Sequence, residues 1–331
     1  MTIQDFDHPH DPGERARQAA NWAASKLAKD RVNLESVSGD ASFRRYFRIR
    51  DGHQSLIVMD ARPDKEDSAP FVDIAHRLRN AGLRAPRVIH FDLQQGFGLL
   101  EDFGDTLYRD IIDPETIDEL MPGLLDVLET MARKVDPQGL PRYHSLKLQQ
   151  ELALFPDWYL RVHKKRPFTH MEWLMWSDLC IALIRSANRQ PHVFVHRDFH
   201  SCNLLRTEDG QAGIIDFQDG VYGPLSYDLV SLLWDRYIAW PRERLEDWMM
   251  TFYRRLELDC EPESWIRWCD LMGLQRNLKI VGIFARLCYR DGKADYLEMI
   301  PRFYDYLLDV LPRYPEFDEF QQLLEQTQCA P

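Results

Sequence analysis

The sequence predicts an α+β fold in two lobes, a small β-rich lobe followed by a large helical one. Three observations carry that reading. Between Leu34 and Asp102 the apolar residues fall in short runs of strand length, separated by turn residues. From Thr106 onward they recur at helical spacing, around 114–134, 145–165, 170–189, 225–240, 241–256, 263–288 and 293–311, with breaks at Pro137, Pro141 and Pro191. One stretch, Val195–Phe217, interrupts the helices and reads as a strand, a tight loop and a hairpin.

Taken in order, residues 1–30 form an N-terminal helical extension. Asp11-Pro12-Gly13-Glu14 has the residues of a helix start: a capping side chain, proline in the first turn and an acid after it. Residues 31–103 form the small lobe. Leu34–Val37 is a short strand, and Ser38–Ser42 a run of small and polar residues. Phe43–Arg50 is a basic, aromatic strand that turns at Asp51-Gly52 into Ser55–Ala61. Alternation along this strand puts Arg44, Tyr46 and Arg48 on one face and Arg45 on the other. Phe71, Ile74, Ala75 and Leu78 fall at helical spacing, with Gly82 closing the helix. Arg87–Asp92 and Gly98–Glu101 complete the strands. Residues 104–331 form the helical lobe.

The totals narrow the function. The chain has 331 residues, 45% hydrophobic and 28% charged, the make-up of a soluble globular protein. Its net charge of −12 argues against general affinity for nucleic acid or an anionic membrane. The six cysteines include no Cys-x-x-Cys pair, which argues against a zinc site and for reduced thiols. The N-terminal residues contain no apolar core of a signal peptide, and no apolar run approaches the ~18 residues a membrane span needs. The expectation is a cytoplasmic protein with no obligatory protein partner.

The chemistry centres on Asp198, Asn203 and Asp216. Asp198 sits on a loop after the apolar run Val193–Val195, where a carboxylate can orient an acceptor hydroxyl and take its proton. Asn203 and Asp216 stand at opposite ends of one short hairpin, and an amide oxygen and a carboxylate are what a magnesium ion takes alongside phosphate oxygens. Each has a bland alternative as a turn residue. The three together favour metal–nucleotide phosphotransfer. His196 reads as a buried histidine holding backbone. His200 reads as either a substrate contact or a loop-packing residue.

His196-Arg197-Asp198-Phe199-His200-Ser201-Cys202-Asn203 and Ile214-Ile215-Asp216-Phe217 resemble the catalytic loop and metal-binding segment of protein-kinase-like phosphotransferases. The likeness is to the aminoglycoside phosphotransferase and choline kinase group, in which the metal motif lacks its final glycine; here Gln218 follows Phe217. It covers roughly residues 30–320. It implies a protein-kinase-like two-lobed fold, ATP and Mg2+ as cofactors, Asp198 as the catalytic group, and Asn203 and Asp216 as metal ligands. Tyr227-Asp228-Leu229 resembles the helix start whose aspartate braces the catalytic loop. Leu99–Gly104 resembles the hinge whose backbone holds adenine, which assigns Glu101 and Phe103 to the nucleotide. Ser38–Arg48, Ile57–Ala61 and Ile215–Pro224 are further similar to the bacterial anomeric kinases of cell-wall sugar recycling. That subgroup phosphorylates N-acetylmuramate and N-acetylglucosamine at the anomeric hydroxyl, giving an α-1-phosphate, so the implied partner is a small-molecule amino sugar.

One departure matters. Where kinase-like folds carry a lysine on the third strand, this sequence has Met59-Asp60. Gly39 and Ser42 can still form an anion nest from backbone N–H groups. Arg44, Arg45 and Arg48 are the candidate cations, or else solvated charges of a strand edge. On the acceptor side, Phe155, Trp158, Tyr159 and Val162 lie at helical spacing, as core or as a sugar-stacking face. Asp235, Arg236 and Arg286 are polar groups in apolar helices with sugar contacts as their sharper reading. Two rival functions stay open: a kinase for an aminoglycoside, choline or another alcohol, and a non-enzymatic pseudokinase module.

Overall fold

A computed structural model describes residues 12–37, 44–52 and 54–329. The Asp11 cap, Gly39 and Ser42 lie outside the described residues. The chain divides into two compact units. The first runs to Asp105 and includes Leu205–Asp219; the second comprises Thr106–Leu204 and Gly220 onward. Among the described residues no helix is long and apolar enough to cross a membrane.

The first unit is an antiparallel five-stranded sheet with a helix on each side. β1 (Glu35–Val37), β2 (Arg44–Asp51), β3 (Gln54–Ala61), β4 (Val88–Asp92) and β5 (Phe97–Glu101) lie in the order β1-β2-β3-β5-β4. The β2–β3 hairpin is in register from Arg44–Ala61 to Asp51–Gln54. Its turn needs the left-handed backbone that Gly52 adopts at φ 59°. α1 (Pro12–Lys26) lays Ala19, Trp22 and Ala23 on Phe47, Ile49, Val58, Phe97 and Leu99. Burying a large apolar side chain in such a cluster contributes about 1.5–3 kcal/mol. α2 (Ala69–Asn80) buries Phe71, Ile74, Ala75 and Leu78, the stripe its spacing predicts.

A small hairpin, β7 (Leu204–Arg206) with β8 (Ala212–Ile214), joins this unit. Ile214 N–H donates to Arg84 carbonyl oxygen at 2.7 Å, and Phe217 stacks on Phe71 with centroids 5.0 Å apart. Gly213 makes the approach possible: a Cβ there would lie 2.6 Å from the Phe103 ring.

The second unit is built around α8 (Pro262–Asp291), whose residues 269–282 are all buried. Against it pack α4 (Ser145–Leu152), α5 (His170–Arg189), α6 (Tyr227–Leu233), α7 (Arg242–Leu256) and α9 (Ile300–Val310), while α3 (Ile117–Lys134) packs on α6 and α7, and α10 (Asp318–Cys329) on α5. β6 (His192–Val195) pairs with β9 (Val221–Pro224) in antiparallel register.

Four features differ from the sequence expectation. The helix expected over 145–165 divides into α4 and a π-helix, Phe155–His163. There α8 passes so close that a Cβ on Gly282 would sit 2.4 Å from the Leu154 carbonyl carbon. The helix expected over 225–240 stops at Leu233, because Trp234 leaves helical angles at ψ 64°. β9 and α10 were not anticipated.

Candidate active site

The loop after β6 is held by two buried aspartates from either end of α6. Asp228 Oδ2 accepts from His196 N–H at 2.6 Å and Oδ1 from Arg197 N–H at 2.9 Å. Asp235 Oδ2 accepts from Ser201 N–H at 2.9 Å, and its Oδ1 from Tyr237 N–H at 2.8 Å. Asp228 thus braces the loop as the resemblance implies. Asp235 is a brace as well. Both its oxygens are bound to backbone, which replaces its reading as a sugar contact.

Within the loop, Asp198 N–H donates to His196 Nδ1 at 3.3 Å, and His196 is fully buried, so it holds backbone. Asp198 carbonyl oxygen accepts from His200 N–H at 3.0 Å and from Asn203 Nδ2 at 2.9 Å. Arg197 adopts φ 77°, a left-handed conformation costly for a side-chain-bearing residue and common at functional sites. Asp216 does the same at φ 62°.

Behind the loop lies a buried charge network that the sequence reading missed. Arg197 Nη2 bonds Glu151 Oε1 at 2.7 Å, with the guanidinium over the Tyr143 ring. Lys279, only 5% exposed on α8, donates to Tyr227 OH at 2.6 Å and lies 3.9 Å from Glu151. Its signal was a lone cation in the apolar run Leu278-Lys279-Ile280-Val281. This network sets the charge of the site. Burial pushes the Asp198 carboxyl up, but Lys279, then His200 and Arg197, pull it down to about 2. Asp198 is therefore a carboxylate at working pH. Burial pushes Asp228 up to about 6, against His196 and the two backbone donors. His200 is driven down to about 4 by burial and Arg236, and is neutral at pH 7.

The remaining acceptor-side candidates separate. His200 is buried beside Asp198, Asp235, Arg236 and Arg276. Arg236 is half-buried with its guanidinium 5.8 Å from the Phe284 ring centre. Tyr159 is 4% exposed, packed on Phe155, His163 and Tyr304, so it is core and offers no face to a sugar. Trp158 is half-buried on the π-helix. Arg286 has Arg290 and Asp291 as its charged neighbours, not the loop.

In the first unit, β2 has the alternation its sequence predicts. Arg45 bonds Asp60 at 2.7 and 3.1 Å, and Arg15 of α1 bonds the same carboxylate at 2.8 Å. Asp60, at the usual lysine's place, is 1% exposed and committed to this cluster. Arg44 lies on the opposite face, paired with Glu66 and over Phe71. It also bonds the Tyr46 phenol, whose surroundings include Asp216. Of the candidate cations, Arg44 thus shares its face with Asp216 and Arg45 does not. Arg48 clamps Asp102 at 2.6 Å and Asp105 at 2.7 Å, on either side of Phe103. The Glu101 carboxylate is held by Arg79 at 3.2 Å and Arg84 at 3.3 Å, and its N–H donates to Arg87 carbonyl oxygen. Phe103, buried against Gly213, makes no backbone–backbone hydrogen bond among the described residues.

Asn203 and Asp216 suit a hard cation. The Asn203 amide nitrogen is committed to the Asp198 carbonyl oxygen, so a metal would take the amide oxygen. Gln218 Nε2 donates to Asp216 Oδ1 at 2.9 Å and fixes that carboxylate. Among the described residues no cluster of three or more His, Cys, Asp or Glu has metal-binding geometry. The Asn203 amide and the Asp216 carboxylate are each oxygen donors of the kind a hard cation takes.

Residues 33–262 match the APH phosphotransferase enzyme family. A relative from Pseudomonas aeruginosa, an N-acetylmuramate/N-acetylglucosamine kinase, is 44% identical over 88% of each chain. Two solved structures share the fold. The choline kinase LicA from Streptococcus pneumoniae has a TM-score of 0.61 at 14% identity, covering 89% of this chain and 99% of its own. The ADP-bound aminoglycoside phosphotransferase APH(2'')-Ib has a TM-score of 0.56 at 16% identity, covering 88% and 96%.

Proposed function

We infer that this chain, which belongs to the APH phosphotransferase enzyme family, is a kinase for N-acetylmuramate and N-acetylglucosamine. It transfers the γ-phosphoryl group of ATP to the anomeric hydroxyl, giving the sugar α-1-phosphate for cell-wall recycling. The observation that carries the reading is the buried-aspartate-braced loop that presents an ionised Asp198, in a chain whose close relative acts on these sugars.

Asp198 accepts a hydrogen bond from the anomeric hydroxyl, aligns its oxygen, and takes the proton late in transfer. A hemiacetal hydroxyl is more acidic than an ordinary alcohol, so a weakly basic carboxylate suffices. Alignment and charge stabilisation then supply most of the rate. Asn203 and Asp216 would hold magnesium, which would offset the charge of the phosphates during transfer. Arg44, steadied by Glu66, takes the phosphate role of the missing lysine, together with backbone N–H groups of residues 39–42. The Phe103 backbone takes adenine.

The test is ADP release with each sugar, in the wild type and in Asp198→Asn. Sugar-dependent turnover that the substitution reduces at least a thousandfold is the expected result. Near-normal turnover in Asp198→Asn would sink the role given to that carboxylate.

A further inference from the structure

The second unit carries a surplus of positive charge beside the acceptor loop. Arg276 of α8, 3% exposed, donates to Trp234 carbonyl oxygen at 3.2 Å. Arg236 follows Asp235 in the same turn, with its guanidinium against Phe284. Tyr306 of α9 donates to Asp235 carbonyl oxygen at 2.8 Å and to that of Ile238 at 3.1 Å. Arg302 stands one turn before Tyr306 on the same helix and reaches its phenol. The segment 234–238 therefore gathers three guanidinium groups from three elements. Among the described residues none of the three forms an ion pair with a carboxylate. Asp235, the carboxylate in their midst, already spends both oxygens on backbone N–H groups. Arg302 Nη1 is buried with no hydrogen-bond partner among the described residues, and so are both amide atoms of Asn277, next to Arg276. In a chain of net charge −12, whose arginines are mostly tied to acids, three guanidinium groups around the single carboxylate of Asp235 leave local positive charge that suits an anion.

We propose that Arg236, Arg276 and Arg302 form a carboxylate subsite for the lactyl group of N-acetylmuramate, setting the preference between the two sugars. This rests on the sugar-kinase reading above. N-acetylglucosamine is the same sugar without the lactyl ether. The two acceptors differ by one carboxylate, which planar guanidinium groups recognise through paired hydrogen bonds. Arg276 lies within electrostatic reach of Asp198, so the subsite adjoins the reacting hydroxyl.

The test compares kcat/KM for N-acetylmuramate, its lactyl methyl ester and N-acetylglucosamine in the wild type, Arg302→Gln and Arg236→Gln. A charge-assisted contact contributes on the order of tenfold to a hundredfold in kcat/KM. The wild type is expected to prefer the free acid to the ester by at least tenfold. Each variant should lower the N-acetylmuramate to N-acetylglucosamine ratio by at least tenfold, with KM for ATP unmoved. Equal wild-type constants for acid and ester would overturn the subsite, even if neither variant folds. So would ratios that stay constant in both variants, or a change confined to KM for ATP. Failure of the wild type to phosphorylate either sugar would instead overturn the function on which the subsite rests.

Discussion

Asn203 Nδ2 donates to the Asp198 carbonyl oxygen at 2.9 Å, so the proposed metal ligand and the proposed catalytic residue are locked into one turn. The two ends of the Asn203 amide therefore do different work. Asn203→Ala loses both the clamp and the ligand. Asn203→Asp keeps a ligating oxygen and loses only the donor. Magnesium titrations of activity should show Asn203→Ala at least a hundredfold below wild type at any magnesium concentration. Asn203→Asp should recover part of the loss at high magnesium. Identical magnesium curves for the two variants would separate Asn203 from the ion.

Arg44 and Arg45 of β2 should behave differently. Arg44→Ala is expected to raise KM for ATP by tenfold or more, since Arg44 shares its face with Asp216's surroundings. Arg45→Ala removes one of two partners of Asp60, with Arg15 retained. Its guanidinium is partly exposed, so the expected cost is roughly 1 kcal/mol of stability, with KM for ATP unchanged. Melting curves and ATP kinetics on both variants check this. A raised KM in Arg45→Ala alone would reverse the assignment.

Acid should act on the brace before it acts on the base. Asp198 sits near 2, below its ordinary value, so the stability it contributes is present above about pH 4 and is lost as pH falls toward 2. Asp228 sits near 6, above its ordinary value. Its contribution is present below about pH 4 and is lost as pH rises through 6. Between pH 5 and 8 Asp198 stays ionised, while Asp228 gains a proton on acidification and grips the His196 and Arg197 N–H groups less strongly. The kcat/KM profile should show an acid limb near pH 6 that Asp228→Asn flattens at a lower plateau. A limb unchanged in Asp228→Asn would point to another group.

Lys279→Met should cost about 3 kcal/mol, because it leaves buried Glu151 with fewer positive neighbours. The Asp198 carboxyl should rise with it, since Lys279 is its strongest stabilising charge. Chemical denaturation measures the first effect and the pH–rate profile the second. A variant as stable as wild type would show the lysine to be a passenger.

The small sheet was legible because strand alternation and turn chemistry there agree. Arg44 and Arg45 fall on the faces that period two assigns them, and Gly52 turns the hairpin. The sequence singles out the candidate site for a different reason: Asp198, Asn203 and Asp216 stand too close in sequence to be scattered surface groups. What stayed hidden depends on contacts between segments remote in sequence. Asp235 looks like a substrate group until Ser201, 34 residues earlier, is found donating to it. Tyr159 looks like a sugar platform until Tyr304 covers it. The end of α6 at Trp234 and the π-helix beside Gly282 come from crowding against α8, which no window of periodicity records. β9 is four residues with a glycine and a proline, too short to stand out without its partner β6.

The anomeric hydroxyl as phosphoryl acceptor is the central claim, and the most direct measurement is ³¹P–¹H correlation NMR on the products. Wild-type enzyme with ATP, magnesium and either amino sugar should give a sugar phosphate whose phosphorus couples to H1. A phosphorus signal coupled to any other ring or side-chain proton, or no sugar phosphate at all, would contradict it.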